Sequence, residues 1–327
     1  MALVMPRFDV ITIGSATQDV FVKSAGWKER PDGMAPDGID ACIPLGSKLG
    51  IDELVFATGG GATNAAVTFS RFGLKTACFS RVGVDETGDG IIRQLKAERI
   101  DTNGIQRDKE RTTGYSIILV SGEGYRGILT HRGAANHIDS KDFPWHRSGK
   151  IVNRPYTAKW IYLTAIGGDM KIIKNIFDHA KKMKAHVAWN PGNAELELGR
   201  KKLLPFLKAT DVLLLNREEA AMLAHVAPRF LDQAMEKLGE LPRKALVVTD
   251  GKKGAHVRAH GATLFAPALK GKRLNTTGAG DAFGSGFVGA IAKGHYLDDA
   301  LRVGLKNAIG VVTHMGAKAG ILKKFPL

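Results

Sequence analysis

The chain has 327 residues and a formal net charge of +15 at pH 7, with 44% hydrophobic and 24% charged residues. This balance is typical of a globular protein with one large domain or two ordinary ones. No apolar stretch approaches the ~18 residues that a membrane span needs, and no secretory core precedes Arg7 and Asp9. Cys42 and Cys78 are most simply buried free thiols, which excludes a disulfide scaffold. A cytoplasmic protein without a membrane partner is expected.

The basic residues are unevenly distributed. Residues 1–150 hold 19 Lys and Arg against 18 Asp and Glu, whereas residues 151–327 hold 28 against 14. The C-terminal half is therefore expected to bind a polyanion, either nucleotide phosphates or nucleic acid. Its lysine runs at 181–184 and 200–202 are not interleaved with aromatic residues, which favours solvated helix faces. We therefore expect no nucleic-acid partner.

The first strand is predicted at residues 8–13, a β-branched run that ends at Gly14. Asp19 follows shortly after this strand, where open α/β sheets bind ligands. A turn aspartate without a ligand is the alternative interpretation. Residues 24–50 are rich in Gly, Pro and Asp and predict an excursion on the surface.

A glycine-rich turn follows the next predicted strand and opens a helix. Gly59, Gly60 and Gly61 would let a small polar ligand approach the backbone closely. Asn64, at the start of the helix, can both donate and accept hydrogen bonds to such a ligand. The spacing matches neither the dinucleotide fingerprint nor the P-loop.

The remaining pattern alternates between strands and helices. Strands are predicted at 76–82, 160–165, 186–190, 212–215 and 245–249, and helices at 169–184, from 218 onwards, at 279–293 and at 297–313. This alternation predicts an α/β fold with a mostly parallel sheet and helices on both faces. Extended runs at 114–120 and 127–131 form a predicted hairpin instead. Such early runs predict a small separate sheet that covers the core.

Residues 274–286 combine a turn of small residues, one carboxylate and an apolar run at helical spacing. Gly278, Ala279 and Gly280 fall in the first turn of the predicted helix, where unpaired amides and the helix dipole form an anion site. Asp281 would repel a bound phosphate, but it suits a base that deprotonates a hydroxyl attacking that phosphate. A helix start whose Asp281 only favours the dipole is the alternative.

Three stretches together resemble the ribokinase-like (PfkB) carbohydrate and nucleoside kinases. Residues 275–283 look like the C-terminal motif of that family, and residues 59–66 look like its N-terminal motif. Asn216-Arg217-Glu218-Glu219 matches its Asn-x-x-Glu motif. Weaker matches are Gly14 with Asp19, residues 83–88 and residues 249–254. They occur in family order over about the full length.

The resemblance implies a single domain over 1–327, with a three-layer α/β/α core and a β lid whose strands come from about 15–57 and 112–132. It implies a kinase that uses ATP and Mg²⁺ on a small-molecule sugar or nucleoside. Asp281 would be the base, and the anion hole would consist of Gly278, Ala279 and Gly280. Substrate hydroxyls would be held by Asp19, Gly59, Gly60, Asn64 and Asp281. The nucleotide and Mg²⁺, the latter through water, would be bound by Asn216, Glu219, Thr249, Gly251, Gly254 and Asn307.

The chain departs from the family pattern at two positions. Asn275 stands where the family commonly has Asp, in a loop that helps many members bind K⁺. Asn275 and Thr277 can still supply oxygen ligands, but the lost charge weakens the expectation of K⁺ activation. Gly61 stands where ribokinase carries a lysine, which leaves no evident cation for a phosphorylated sugar. Arg132 can play that part, although an arginine on the lid surface is the simpler interpretation.

The leading hypothesis is an ATP-dependent kinase of a primary hydroxyl on a free sugar or nucleoside. The alternatives are an adenosine- or cytidine-type nucleoside kinase and a kinase of sugar phosphates. Two hypotheses come from other classes, namely a nucleic-acid-binding protein and an inactive sugar-binding regulator. The exposed strand edges of the predicted lid also suggest a homodimer.

Overall fold

The computed structural model describes residues 7–24, 26–32, 39–43, 45–120, 126–145 and 155–327. Its strands are β1 (Phe8–Ile13), β2 (Thr17–Lys23), β3 (Lys28–Pro31), β4 (Ile39–Cys42), β5 (Glu53–Gly59), β6 (Thr76–Gly83), β7 (Asp101–Asp108), β8 (Gly114–Val120), β9 (Arg126–His131), β10 (Ala158–Leu163), β11 (His186–Trp189), β12 (Val212–Asn216), β13 (Ala245–Thr249), β14 (Gly254–Ala259) and β15 (Ala262–Pro267). Its helices are α1 (Gly61–Arg71), α2 (Glu86–Ala97), α3 (Met170–Met183), α4 (Asn193–Leu196), α5 (Arg200–Ala209), α6 (Arg217–Ala224), α7 (Leu231–Gly239), α8 (Ala279–Ala292) and α9 (Leu297–Val312).

Nine strands form one sheet in the order β15-β14-β13-β12-β11-β10-β1-β6-β7. The strands from β13 to β7 in this order run parallel, whereas β14 and β15 add an antiparallel edge. Residues 212–215 of β12 are all buried, since helices cover both faces of such a sheet. The predicted α/β fold with a mostly parallel sheet is confirmed.

The helices pack on the two faces of this sheet and make three layers. Helices α3, α5, α6 and α7 contribute to one apolar cluster around the fully buried Trp189. Helices α1, α8 and α9 contribute to the opposite cluster, which includes Phe69, Phe283 and Phe287. Burial of each large side chain contributes ~1.5–3 kcal/mol. The apolar face of α8 therefore holds the first turn of this helix in place beside α1.

A second sheet of four strands, here called the lid, has the order β5-β2-β8-β9. Strand β2 runs antiparallel to β5 and parallel to β8, while β8 and β9 pair as the predicted hairpin. The turn of this hairpin, at 121–125, lies outside the described residues. One face of the lid packs Phe21 and Ile118 with Met315, which follows α9. The lid thus lies over the chain that joins α9 to the C-terminus.

Asp19 lies in a strand and not in a turn. Asp19 lies within β2, opposite Ala57 of β5 and Ser116 of β8. In the register of the lid, these three residues lie on the same face as Phe21, the face that packs with Met315. The interpretation as a turn aspartate is therefore wrong, and Asp19 faces the core from a lid strand.

Some smaller features also differ from expectation. Residues 24–50, predicted as a surface excursion, include the short antiparallel pair of β3 and β4. Cys78 is buried, but Cys42 is only partly buried. None of the helices among the described residues has both the length and the apolar character that crossing a membrane requires. The organisation of 1–327 as one domain stays a prediction.

Candidate active site

Asp281, the predicted base, lies in the first turn of α8. The helix begins after Gly278, whose φ of 80° is left-handed and favours glycine. A Cβ at Gly278 would also lie 2.5 Å from the Cβ of Ala317. This sharp entry leaves Asp281 partly exposed at the wall of a cavity of about 240 Å³.

Asn64 of α1 connects the two glycine-containing motifs. Its Nδ2 donates a 2.8 Å hydrogen bond to Oδ2 of Asp281. Asn64 is 3% exposed, and its Oδ1 has no hydrogen-bond partner among the described residues. A buried oxygen without a partner costs free energy unless a ligand satisfies it. The Oδ1 of Asn64 is therefore an acceptor suited to a substrate hydroxyl.

The surroundings of Asp281 make it a stronger base than an ordinary aspartate. Burial raises the pKa of Asp281, and the nearby charge of Asp19 raises it further. The hydrogen bond from Asn64 and the charge of Lys318 lower this pKa and partly offset the increase. A carboxylate with a raised pKa gains more free energy when it accepts a proton from a hydroxyl.

Asp19 is a second buried carboxylate, only 4% exposed. Thr17 Oγ1 donates to its Oδ1 at 3.1 Å. Burial raises the pKa of Asp19, while the charge of Lys318 and the hydroxyls of Thr17 and Ser116 lower it. The charge of Asp19 raises the pKa of Asp281, and the charge of Lys318 lowers the pKa of both carboxyls, so the structure brings these two predicted residues into one electrostatic environment.

The glycines before α1 make room for protein atoms. A Cβ at Gly59 would lie 2.0 Å from Oδ2 of Asp19. A Cβ at Gly60, where φ is 95°, would lie 2.4 Å from the backbone oxygen of Ser15. A side chain at either position would therefore collide with the protein itself. Contacts of the Gly59 and Gly60 backbone with a substrate stay a prediction.

Asn216 and Glu219 form a reciprocal cap at the start of α6. Asn216 Oδ1 accepts from the Glu219 amide at 2.8 Å, and Glu219 Oε2 accepts from the Asn216 amide at 2.8 Å. Asn216 ends β12 directly opposite Thr249 of β13. Local capping thus orients both side chains at the wall of the 240 Å³ cavity that Asp281 also lines.

Glu219 adds negative charge to this cavity. Burial raises the pKa of Glu219, and the charges of Glu218 and Asp281 add to the increase. The described residues contain no cluster of three or more His, Cys, Asp or Glu that could hold a metal ion alone. Asn216 and Glu219 each have one oxygen engaged in the cap, so they would nevertheless hold Mg²⁺ through its waters, several of which this ion usually keeps when it binds phosphates. The donor set fits that ion.

The predicted anion hole is only partly available. A Cβ at Gly280 would meet no atom within 4 Å, so this residue borders open space. The Ala279 amide, by contrast, donates to the backbone oxygen of Thr276 at 3.2 Å. The prediction that the amide of Ala279 is a free donor is therefore wrong. Gly280 retains the position at a helix N-terminus where amides lack intrahelical partners.

A second cavity, of about 500 Å³, adjoins the first. Both cavities are lined by Asn216, Thr249, Thr276, Gly280 and Phe283. The second cavity has apolar walls, contributed by Leu269, Leu305, Ala308, Ile309 and Val312, and basic side chains, contributed by Arg217, Lys252 and Arg273. An apolar pocket with cations at its edge suits a flat base that carries phosphates.

Thr249 and Gly251 line this second cavity, but Gly254 and Asn307 do not. Gly254 begins β14 with a φ of 128°, and a Cβ there would lie 2.1 Å from the backbone oxygen of Ala266. Glycine is therefore required at this position by the packing of β14 on β15. The predicted contact of Gly254 with a nucleotide is corrected to a role in the hairpin.

Asn307 is fully buried between helices. Its Nδ2 donates to Thr68 Oγ1 at 3.2 Å and to the backbone oxygen of Ala282 at 2.8 Å. Its Oδ1 accepts from the Leu322 amide at 3.0 Å. These bonds join α9 to α1, α8 and the C-terminal segment. Asn307 was predicted to lie along the nucleotide. This prediction is wrong, because its side chain joins the helices behind α8.

Asn275 is 7% exposed and uses its Oδ1 to accept from the Thr277 amide at 3.0 Å. Its Nδ2 has no hydrogen-bond partner among the described residues. The amide side chain thus stabilises the turn before α8. An oxygen already engaged in this turn gives no support to a K⁺ site.

A sequence profile of the pfkB family of carbohydrate kinases matches residues 43–324. The chain belongs to this family. Among its relatives, the ribokinase of Staphylococcus aureus is 27% identical over 284 residues, which cover 84% of this chain and 89% of that protein. The nucleoside kinase of Methanocaldococcus jannaschii is 26% identical over 267 residues, which cover 80% of this chain and 82% of the relative.

Solved structures share the fold of this PfkB-family kinase. The crystal structure of the Methanocaldococcus jannaschii nucleoside kinase, a member of the ribokinase family, has a TM-score of 0.75 at 24% identity and covers 98% of this chain and 96% of its own. That of the adenosine kinase from Sinorhizobium meliloti has a TM-score of 0.76 at 23% identity, with 95% and 96% covered. By family membership, the protein is a phosphotransferase with a hydroxyl acceptor.

Three further residues of this PfkB-family kinase lie at the two cavities or act on the carboxylates, and none of them was predicted from the sequence. Asn190, at the end of β11, lines the 240 Å³ cavity and donates to the backbone oxygen of Leu214 at 3.0 Å. Arg273 lines the second cavity. Lys318, 6% exposed, acts electrostatically on both Asp19 and Asp281. The turn after β11 was a signal for Asn190, but no pattern distinguishes Lys318 among 47 basic residues.

Proposed function

We propose that this PfkB-family kinase transfers the γ-phosphoryl group of ATP to a primary hydroxyl of a free sugar or nucleoside. The hydrogen bond from Asn64 to Asp281 carries the proposal. It unites the N-terminal and C-terminal motifs around one carboxylate, at a cavity that Gly280 and Glu219 also line. Phosphoryl transfer requires this kind of positioning and charge neutralisation more than covalent chemistry.

In the proposed reaction, Asp281 accepts the proton of the substrate hydroxyl while the hydroxyl oxygen bonds to the γ-phosphorus. The bond from that phosphorus to its bridging oxygen breaks, and ADP leaves with the electron pair. The amides of Gly278 and Gly280, at the positive end of α8, stabilise the charge on the phosphoryl oxygens. Asn64 and Asp19 hold further hydroxyls of the substrate and orient the reacting one towards Asp281.

Glu219 and Asn216 are the residues proposed to hold Mg²⁺, through water. When bound, this ion neutralises phosphate charge and orients the phosphates. The raised pKa of Glu219, caused first by burial and then by neighbouring carboxylates, supports a site that lacks positive charge. Thr249 and Gly251 are proposed to contact the nucleotide. Potassium is not part of the proposal, because Asn275 Oδ1 already accepts from the Thr277 amide.

A free sugar or nucleoside fits the site better than a sugar phosphate. Asp19 is a buried carboxylate and Asp281 a partly exposed one, and they would repel a substrate that brings its own phosphate. Arg132 directly follows β9 and is exposed. The relatives include ribokinase and a nucleoside kinase, and the proposal covers both classes of acceptor.

ADP release from Mg²⁺-ATP, measured across free pentoses, hexoses, nucleosides and sugar phosphates, tests this function. Asp281→Asn keeps the shape of the site and should lower kcat by about 10²–10⁴. Asp298→Asn, whose side chain is 55% exposed on α9, is the matched control and should leave kcat unchanged. Full activity of Asp281→Asn would disprove the base. A protein that releases no ADP with any acceptor would support the sugar-binding regulator instead.

A homodimer through the lid is proposed from its outer face. Phe56, Val20, Ile117 and Leu129 are neighbours in register across the four strands, on the face opposite to Met315. Phe56 and Leu129 are 62% and 60% exposed. An apolar row of this kind on an exposed sheet favours association with a like surface. A cytoplasmic location stays a prediction.

A further inference from the structure

Lys318 is a cation buried between the lid and the catalytic helix. It lies in the turn that follows α9 and is only 6% exposed. Its Nζ donates a 2.8 Å hydrogen bond to the backbone oxygen of Thr58, which lies next to Gly59 in β5. A lysine in such a position is rare unless its charge is used, because removing an ammonium from water is costly.

The turn that carries Lys318 touches each part of the site. Met315 packs against the inner face of the lid. Gly316 lies close to Ala57 of β5. A Cβ added to Gly316 would lie 2.9 Å from the Cβ of Ala57. Ala317 packs against Gly278 at the entry to α8. The backbone around Lys318 is therefore held by the same elements that hold Asp19 and Asp281.

Several charged or titratable groups face the ammonium of Lys318. The groups that favour its protonated form are Asp19 of β2, Asp281 of α8, Cys78 of β6 and Glu98 after α2. Glu98 is paired with Arg71 of α1, at 2.5 Å, and therefore has its own cation. Burial raises the pKa of Cys78 to about 11, which keeps that thiol neutral at pH 7. Among the described residues, Lys318 is the cation that lowers the pKa of both Asp19 and Asp281.

We propose that Lys318 is a positioning residue whose buried charge keeps Asp281 ionised beside Asp19, and that Thr58 fixes the ammonium in the place where it does so. The role rests on the proposed function of Asp281 as the base. Burial lowers the pKa of Lys318 to about 8, so the side chain carries its charge at neutral pH. Without it, two buried carboxylates would face each other, and the pKa of Asp281 would rise further.

Three substitutions separate this role from simple anchoring of the lid. Lys318→Gln keeps a donor for the Thr58 oxygen but removes the charge. Lys318→Arg keeps the charge. Lys323→Gln, at an exposed lysine of the same C-terminal segment, is the matched control. A residue that only anchors the lid would show the same kinetics in the Gln and Arg variants at every pH.

The first measurement is the dependence of kcat/KM on pH from 5.5 to 9. We expect the acidic limb of Lys318→Gln to move up by about one pH unit, which lowers kcat/KM by up to about tenfold on that limb and little on the plateau above it. Lys318→Arg and Lys323→Gln should keep the limb where it lies in the unchanged enzyme. An unmoved limb in the Gln variant, or an equal loss in the Gln and Arg variants, would overturn the proposal.

A second measurement does not depend on activity. The side-chain carboxyl of Asp281, labelled with ¹³C and assigned by its loss in Asp281→Asn, is titrated by NMR. Its pKa should be about one unit higher in Lys318→Gln than in the unchanged protein, and Asp19→Asn should lower it. An unchanged pKa rejects the role of Lys318. A raised pKa in a protein that phosphorylates nothing would instead leave Lys318 correct and the proposed kinase function wrong.

Discussion

The side-chain amide of Asn64 and the carboxylate of Asp281 lie 2.8 Å apart, although 217 positions separate them in the chain. Asn64 is placed by α1, and Asp281 by α8, two helices whose apolar side chains share one buried cluster. The hydrogen bond opposes the increase that burial causes in the pKa of Asp281. The packing of two helices thus sets the acidity of the proposed base.

Asn64→Ala removes this donor and should raise the pKa of Asp281, since burial is then less opposed. The acidic limb of kcat should move to higher pH, so that kcat is lower than in the unchanged enzyme on this limb and nearly restored on the plateau above it. KM for the hydroxyl substrate should rise at every pH, because Asn64 Oδ1 is lost as well. Steady-state kinetics across pH measure both effects. Asn103→Ala, on the distant strand β7, should change neither, and an unmoved acidic limb would contradict the prediction.

Gly59→Ala would place a Cβ within 2.0 Å of Oδ2 of Asp19, so the carboxylate must shift. We expect KM for the sugar or nucleoside to rise about tenfold while KM for ATP stays within about twofold. The two KM values should respond differently because Asp19 is proposed to bind the sugar or nucleoside and not ATP. Gly90→Ala, where a Cβ meets only the tip of Arg93 at 3.9 Å, is the control. Equal increases in both KM values would indicate general damage rather than displacement of Asp19.

Lys318→Met should change how the stability of the protein depends on pH. Burial lowers the pKa of Lys318 from 10.5 to about 8, so the unfolded chain binds the proton more tightly than the folded protein does. The contribution of this site to the free energy of unfolding therefore rises as pH increases from 8 to 10.5. Thermal unfolding should show that the Tm of the unchanged protein gains on the Tm of the variant over this range. A difference in Tm that stays constant from about pH 8 to 10 would contradict the lowered pKa.

Phe56→Lys should convert the proposed dimer into a monomer. The change places a charge at the β5 end of the apolar row on the outer face of the lid, where Phe56 is 62% exposed. Sedimentation equilibrium should give about half the mass of the unchanged protein. Tyr296→Lys, at a side chain that is 82% exposed outside the lid, should keep the dimer. A monomeric mass for the unchanged protein would rule out this assembly.

Local patterns predicted much of the fold. Continuous apolar runs located strands such as β12, and the helical spacing after Gly280 located α8, because these signals arise from neighbours in sequence. Strand β7 gave no such signal, since it lies at the edge of the large sheet and is largely polar. The hairpin of β14 and β15 was also missed, since β15 is an edge strand with mostly exposed residues.

The sequence by itself determined the family motifs, including Asn-x-x-Glu at 216–219, and the helix start before Asp281, because each depends on residues within a few positions. Only the tertiary structure decided that Asn64 meets Asp281 and that Lys318 lies beneath the lid. Such contacts join elements that are distant in the chain, and the packing of buried faces sets them rather than any local spacing. The same packing also places Asn307 away from the proposed nucleotide site, since its three hydrogen bonds are all made inside the core.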